Sequence, residues 1–439
     1  MSGVGTDASR PTARTSPPSL AQRPWRYAAF FSTYLYQGLV AGFSLTALAN
    51  HYSGRGVSAS EVGLHFALAG LPWTVQPVLW GPLVDRVGPG RRRICALTAI
   101  AGSHLALCGL FLVPDAGAIG AVGLVLFAHS LAASLLDTAC DRMVMDHVPP
   151  DELGRMSACM RIGFVVGTSL SAAVFAWTLS VWPFADSIAL LLGLGLAATI
   201  LPVVVRERPG DALFSLKRHP GLPPARASTF RRFLRRLALG LRRGAVLRIL
   251  LLCFGLDFVL ALFEVRFGVD LVQGQGWDAA TLSRLQAGLA FVGGTAGALA
   301  IGLWSDRVGR LPALRLLLVA SALAFALAGL LIAAGSLGAA APVLVGLTNI
   351  LPNLIIVAMV PALMEASRGR AGAATQFEVF MATMNLGSVA GAAASGFVGS
   401  LVPIAGVGLL VAFVFAVGAW LCDRRHFLAG KASRVGRTL

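Results

Sequence analysis

The chain has 439 residues, 56% of them hydrophobic and 13% charged, with a formal net charge of +16. A soluble protein carries roughly 25% charged residues, so this composition cannot cover a soluble surface, and the basic excess reads as membrane topology rather than nucleic-acid binding. A mean hydropathy of +0.76 and apolar runs of roughly 20 residues, each able to cross a ~30 Å hydrocarbon layer, leave a polytopic helical membrane protein.

Residues 1–24 are rich in Ser, Pro, Thr and Arg, with no apolar core behind a short basic start. This predicts a disordered tail, not a cleaved signal peptide. Twelve apolar segments follow, near 25–50, 61–84, 94–113, 117–146, 155–179, 184–205, 246–270, 281–303, 313–334, 339–364, 371–399 and 402–422. Each is too long for a membrane strand, so the expected fold is an all-α membrane protein of twelve transmembrane helices. Six fall in 25–205 and six in 246–422, an N-terminal and a C-terminal six-helix bundle, followed by a tail at 423–439.

The linker, 206–245, is strongly basic, and Pro220, Pro223 and Pro224 break any long helix in it. Thr229 to Arg243 reads as a short basic amphipathic helix on the membrane surface, either a topology anchor or a contact for anionic lipid. With the N-terminus in the cytoplasm, only Arg55, Arg266 and Arg284 of the 36 basic residues face outward. That bias puts both termini, the linker and the tail in the cytoplasm. The cysteines Cys95, Cys108, Cys140, Cys159, Cys253 and Cys422 sit mostly inside apolar runs without a CxxC pair and read as packing residues.

Each half repeats one motif after its second helix: GPLVDRVGPGRRR from Gly81 to Arg93, and GLWSDRVGRLPAL from Gly302 to Leu314. The shared pattern, G-x-x-x-D-R-V-G with basic residues following, resembles the signature loop of the major facilitator superfamily. That resemblance implies two six-helix bundles rocking about a central site. Gly81 and Gly302 allow close helix approach. Asp85 and Asp306, followed by Arg86 and Arg307, can face a helix N-terminus or an arginine of the opposite half. Arg368 and Arg370 are the expected arginines for Asp85, and Arg155 for Asp306. Such contacts would latch the cytoplasmic side shut.

A narrower likeness lies in YLYQGL (Tyr34 to Leu39), GLPWTVQPVLWGPLVDR (Gly70 to Arg86), DTACDRMVMDHVPPDELGR (Asp137 to Arg155), MRIG (Met160 to Gly163) and GAATQFEVF (Gly372 to Phe380). These stretches are similar to AmpG-like permeases, a branch with muropeptide importers, acetyl-CoA carriers and the RhtX/FptX type of siderophore permease. The muropeptide members carry two helices more than the twelve counted here, so the siderophore type stays open. The superfamily resemblance further implies that helices one, four, seven and ten line the cavity.

An ionisable group inside a bilayer is a functional candidate by default. Helix four carries Asp137 and Asp141, four apart and on one face. Two close carboxylates repel, so one holds a proton readily. They are candidates for proton coupling, the alternative being an ion pair with Arg142 or Arg161. Arg161 of helix five suits an anionic substrate or a switch of partners with the aspartates; otherwise it snorkels to the headgroups. Asp257 and Glu264 of helix seven share a face and join the coupling candidates. Asn349 and Asn353 of helix ten, Tyr34 and Gln37 of helix one, and Gln376 and Glu378 of helix eleven are candidate substrate contacts. Tyr36 and Asn385 are further polar positions, Trp73 and Trp80 are candidate interface anchors, and His65, His104 and His129 lie in apolar runs.

No GxxxxGK[ST] loop, metal-spaced His/Cys cluster or Ser-His-Asp set is present. No catalytic residue, metal or cofactor is expected. Helix four has no arginine before Arg142, and Gly167-Thr168 stands where drug antiporters carry Gly-Pro. The reading is a monomeric permease of a bacterial inner membrane that imports a bulky polar solute with protons. Drug or metabolite efflux, or a non-transporting receptor or scaffold, are the alternatives.

Overall fold

The computed structural model describes residues 17–48, 51–52, 59–87, 91–214, 235, 238–239, 242, 244–277, 279–368 and 372–422. The expected surface helix at 229–243 lies outside them apart from Arg235, Ala238, Leu239 and Arg242, as do Arg370 and the tail at 423–439.

Twelve α-helices run through the described residues: α1 Arg23–Gly42, α2 Ala59–Val87, α3 Arg92–Cys108, α4 Ile119–His147, α5 Leu153–Val181, α6 Phe184–Val204, α7 Gly244–Val269, α8 Ala279–Val308, α9 Arg310–Ala333, α10 Leu337–Ser367, α11 Ala373–Leu401 and α12 Ile404–Leu421. Nine are long and apolar enough to cross a membrane by length and composition. The other three are α1, α2 and α11, which hold Tyr34, Gln37, Gln76, Gln376 and Glu378. Polar residues turned toward the protein interior lower the hydropathy of a helix without preventing it from spanning.

The two sets of six helices repeat in detail. Both α1 and α7 continue into a π-helical turn, Phe43–Ala47 and Asp270–Gly274. Both α6 and α12 start after a proline, Pro183 and Pro403, and the residue before each is extended, as proline demands of its neighbour. Gly163 and Gly167 of α5 lie against α1, where an added Cβ would stand 2.5 Å from the Phe31 carbonyl oxygen and 2.3 Å from that of Leu35. Gly387 and Gly391 of α11 lie against α7 in the same way, 2.4 and 2.1 Å from the carbonyl oxygens of Phe254 and Phe258. Each pair is a small-xxx-small face that lets two backbones touch. Large apolar side chains such as Leu105, Leu112, Leu323 and Phe413 cover the outside, as suits a surface facing lipid rather than water.

Between the halves, α2 packs on α11 and α5 packs on α8 and α10. The closest approach uses the motif glycines. A Cβ at Gly81 would meet Thr375 Cα at 2.6 Å, and one at Gly302 would meet the Gly154 carbonyl oxygen at 2.8 Å. Both contacts lie at the end of the molecule that carries the DRVG loops, hereafter the basic end. Ion pairs fasten helices there: Arg26 and Arg23 hold Glu152 at 2.9 and 3.2 Å, and Arg92 holds Asp146. The first residues of the linker fold back onto this end, where the Arg93 guanidinium donates to the carbonyls of Val203 and Leu213.

Candidate functional site

At the basic end each motif aspartate caps a helix of the opposite half. Asp85, at the end of α2, accepts the backbone N–H groups of Ala374 and Thr375 at 3.0 Å each and the Thr375 hydroxyl at 2.9 Å. Asp306, at the end of α8, accepts the N–H groups of Gly154 and Arg155 at 2.8 and 2.9 Å and Arg155 Nε at 2.7 Å. An anion held by the free amides at a helix N-terminus is a favourable pairing. Arg155 thus meets Asp306 as expected. Arg368 does not meet Asp85: it donates to the Val148 carbonyl at 2.7 Å. The amides of α11 already fill the Asp85 carboxylate, and Arg142 of its own half lies 4.0 Å from it. Arg86 and Arg307 are exposed.

Beyond these contacts lies a cavity of about 450 Å³, lined by residues of α1, α2, α4, α5, α10 and α11. Tyr34, Gln37, Trp73, Gln76, His129, Asp137, Asp141, Arg161 and Asn385 supply its polar and aromatic lining. Its volume falls within the range that takes a drug-sized solute. The helix count on its wall departs from the expectation: α2, α5 and α11 contribute, and α7 does not. Asp257 and Glu264 of α7 are outside this lining, and Glu264 is exposed. The buried apolar residues of α7 pack within their own half, Phe263 edge-on to Phe325 of α9 and Leu256 beside Gly418 of α12. Asn349 also stays outside the lining, donating to the Val345 carbonyl at 2.8 Å within α10.

Asp137 and Asp141 do share a face of α4 on the cavity. Tyr34 donates its hydroxyl to Asp141 at 2.7 Å, and Gln76 donates to Asp137 at 3.2 Å while holding Thr138 at 3.0 Å. Glu378 of α11 joins them from the other half, and carboxylate oxygens of all three lie within 4.8 Å of one another. Glu378 is 1% exposed, lies outside the cavity lining and has its carboxylate beside the two aspartates. Gln376, also buried, lies outside the lining too.

The cations expected beside the aspartates go elsewhere. Arg142 lies 3.6 Å from Asp146 and 4.0 Å from Asp85. Arg161 donates Nε to Asn353 Oδ1 at 2.7 Å and stacks over the Phe164 ring, 5.3 Å from its centroid. Among the described residues no ion pair reaches Asp137, Asp141 or Glu378. Two like charges ~4 Å apart repel by about 4 kcal/mol at an effective dielectric constant near 20. A proton or an added cation would relieve that repulsion. The all-oxygen donor set of the three carboxylates is also the kind that suits a hard metal ion.

Trp80, expected as an interface anchor, donates its ring N–H to Leu131 O and Ser134 Oγ of α4 at 3.1 and 2.9 Å. Pairing with α4 satisfies that N–H inside the protein. Sequence reasoning missed Gln76, the pairing of Arg161 with Asn353, and the meeting of Glu378 with the aspartates. The only sequence signal for Gln76 was its place in the GLPWTVQ stretch before the first motif.

The sequence signature described as Major Facilitator Superfamily matches residues 27–377. The fold is similar to that of a bacterial homologue of the iron transporter ferroportin in an outward-facing state, with 14% identity over 93% of this chain and 99% of that one and a TM-score of 0.65. It is similar to the human organic anion transporter MFSD10, with 16% identity over 93% of this chain and 100% of that one and a TM-score of 0.66. It is also similar to the E. coli fucose:proton symporter FucP, with 14% identity over 92% of this chain and 99% of that one and a TM-score of 0.66. The chain belongs to the Major Facilitator Superfamily. It is a multi-pass membrane protein and a secondary transporter, not an enzyme.

Proposed function

We propose that this superfamily member is a proton-coupled importer of a bulky polar solute, of the siderophore or muropeptide type, in a bacterial inner membrane. One observation carries the coupling: three carboxylates from both halves, Asp137, Asp141 and Glu378, meet beside the cavity, with no ion-pair partner among the described residues. Protons entering that cluster remove the repulsion and let the two halves stay together. The AmpG-like stretches support the branch, and they include both aspartates, Arg161 and Glu378. Arg161 lines the cavity with one N–H given to Asn353, so the rest of its guanidinium fork remains for a carboxylate or similar anion of the solute.

The basic end is the cytoplasmic one by the distribution of Lys and Arg. The latches at Asp85 and Asp306 then hold the cytoplasmic side closed, and protons and solute enter the cavity from outside. Release of the latches opens the cavity inward. Differential affinity of the solute and protons for the two states drives the cycle. The protein acts as a monomer with both termini inside, and the charge of the basic linker suits anionic lipid of the inner leaflet.

The test is uptake into cells lacking their own importers, with a labelled ferric siderophore and a labelled anhydro-muropeptide side by side. Uncoupler-sensitive uptake of one of them, lost in Asp137→Asn, is expected. Uptake of neither would sink the importer reading and put efflux first.

A further inference from the structure

Three helices meet at a histidine on the cavity wall. His129 of α4 lines the cavity and is 5% exposed. Its Nδ1 lies 2.8 Å from Ser103 Oγ of α3. That same oxygen lies 2.5 Å from the Tyr36 hydroxyl of α1. Tyr36 and Ser103 are both 0% exposed, so water does not reach either hydroxyl.

Each hydroxyl has one proton to place, and a neutral imidazole has one N–H and one bare nitrogen. Among the described residues Tyr36 has no polar partner except Ser103. If His129 Nδ1–H donated to Ser103 and Ser103 to Tyr36, the phenolic proton would be buried without an acceptor. If Tyr36 and Nδ1–H both donated to Ser103, the serine proton would be the orphan. Folded proteins avoid buried donors left unpaired. One arrangement places every proton: Tyr36 donates to Ser103, and Ser103 donates to His129 Nδ1. The ring proton is then on Nε2.

Packing holds the relay in place. Tyr36 stacks on His104 at 4.9 Å between ring centroids and meets His129 edge-on at 6.4 Å. His104 is itself tied to its own helix, its Nδ1 lying 2.9 Å from the Ile100 carbonyl. Among the described residues His129 Nε2 has no protein hydrogen-bond partner, and it is not fully buried. Its N–H therefore opens on the cavity.

We propose that His129 is a fixed hydrogen-bond donor of the cavity, a subsite that reads an acceptor oxygen (carbonyl, hydroxyl or carboxylate) on the transported solute. Ser103 and Tyr36 are its positioning residues. With Nδ1 already accepting, His129 serves recognition, and the coupling proton is left to the carboxylates. This rests on the cavity being the path of the imported solute.

The first measurement needs no solute. Protein labelled with ¹⁵N-histidine, in lipid nanodiscs at pH 7, should give a neutral His129 spectrum with the proton on Nε2, assigned by its loss in His129→Gln. Ser103→Ala should turn it into an average of both tautomers. A proton on Nδ1, or an imidazolium, overturns the proposal. The second measurement is uptake of whichever probe the wild type imports, the ferric siderophore or the anhydro-muropeptide. His129→Phe, which keeps the ring and loses the donor, should raise KM about tenfold, with kcat within about twofold and uncoupler sensitivity intact. His129→Gln, whose amide can donate from a similar place, should stay near the wild type. An unchanged KM in His129→Phe overturns the subsite. Size-exclusion profiles show whether each variant folds. If the wild type takes up neither probe, the solute assignment fails, and the spectrum still decides whether the fixed donor exists.

Discussion

Asp85→Asn is the sharpest perturbation of the closed state. The carboxylate, 6% exposed, accepts two backbone N–H groups at 3.0 Å and one hydroxyl at 2.9 Å from the N-terminus of α11. Hydrogen bonds to a charged group contribute about 1.5–3 kcal/mol each, against about 0.5–1.5 for neutral ones. Asparagine keeps one acceptor oxygen but turns an NH2 group toward donors that the second oxygen now satisfies. The net loss is about 3 kcal/mol, confined to the state in which α2 and α11 touch at the basic end. At 1.4 kcal/mol per factor of ten, the balance moves about a hundredfold toward a basic-end-open state. The pseudo-equivalent latch at Asp306 remains and limits how far the halves part. The assay is pulsed electron paramagnetic resonance between spin labels on the basic ends of α4 and α10, after replacing the six native cysteines. A longer-distance population should grow in Asp85→Asn and grow further in Asp85→Asn with Asp306→Asn. Unchanged distance distributions in the double variant would refute the latch.

Other outcomes follow from the same geometry. Asp141→Asn and Glu378→Gln should abolish concentrative uptake and its acceleration by an acidic outer pH while preserving solute exchange; uptake that stays concentrative in both removes the carboxylate cluster from coupling. Arg161→Lys, which keeps the charge and loses the fork and the stacking on Phe164, should raise KM at least about tenfold for an anionic solute, and a wild-type KM would leave Arg161 a purely structural role. Gly391→Ala places a Cβ 2.1 Å from the Phe258 carbonyl oxygen and should lower the thermal stability of the detergent-solubilised protein by about 1–3 kcal/mol. Gly346→Ala, with nothing within 4 Å of the new Cβ, is the control and should leave the melting temperature within a degree or two.

The helices were legible because their signal is local. Runs of apolar residues set twelve elements, and the two DRVG copies marked the repeat before any packing was known. The shared face of Asp137 and Asp141 was legible for the same reason, since residues four apart on a helix are neighbours. The pairing of Arg155 with Asp306 followed from charge at matching ends of the two halves.

What escaped the sequence depended on contacts across helices. Glu378 meets the aspartates only because α11 packs on α2 and α4. Asp85 chose backbone amides over Arg368, and an N–H group is carried by every residue but proline, so no side-chain pattern announces it. The direction of the relay from Tyr36 to His129 depends on two hydroxyls being cut off from water, a property of the assembled bundle. Periodicity and charge thus determined which segments become helices and which ends bear the latches. Tertiary packing alone decided which carboxylates cluster beside the cavity and which histidine lines it, because burial and partner choice arise only when distant helices meet.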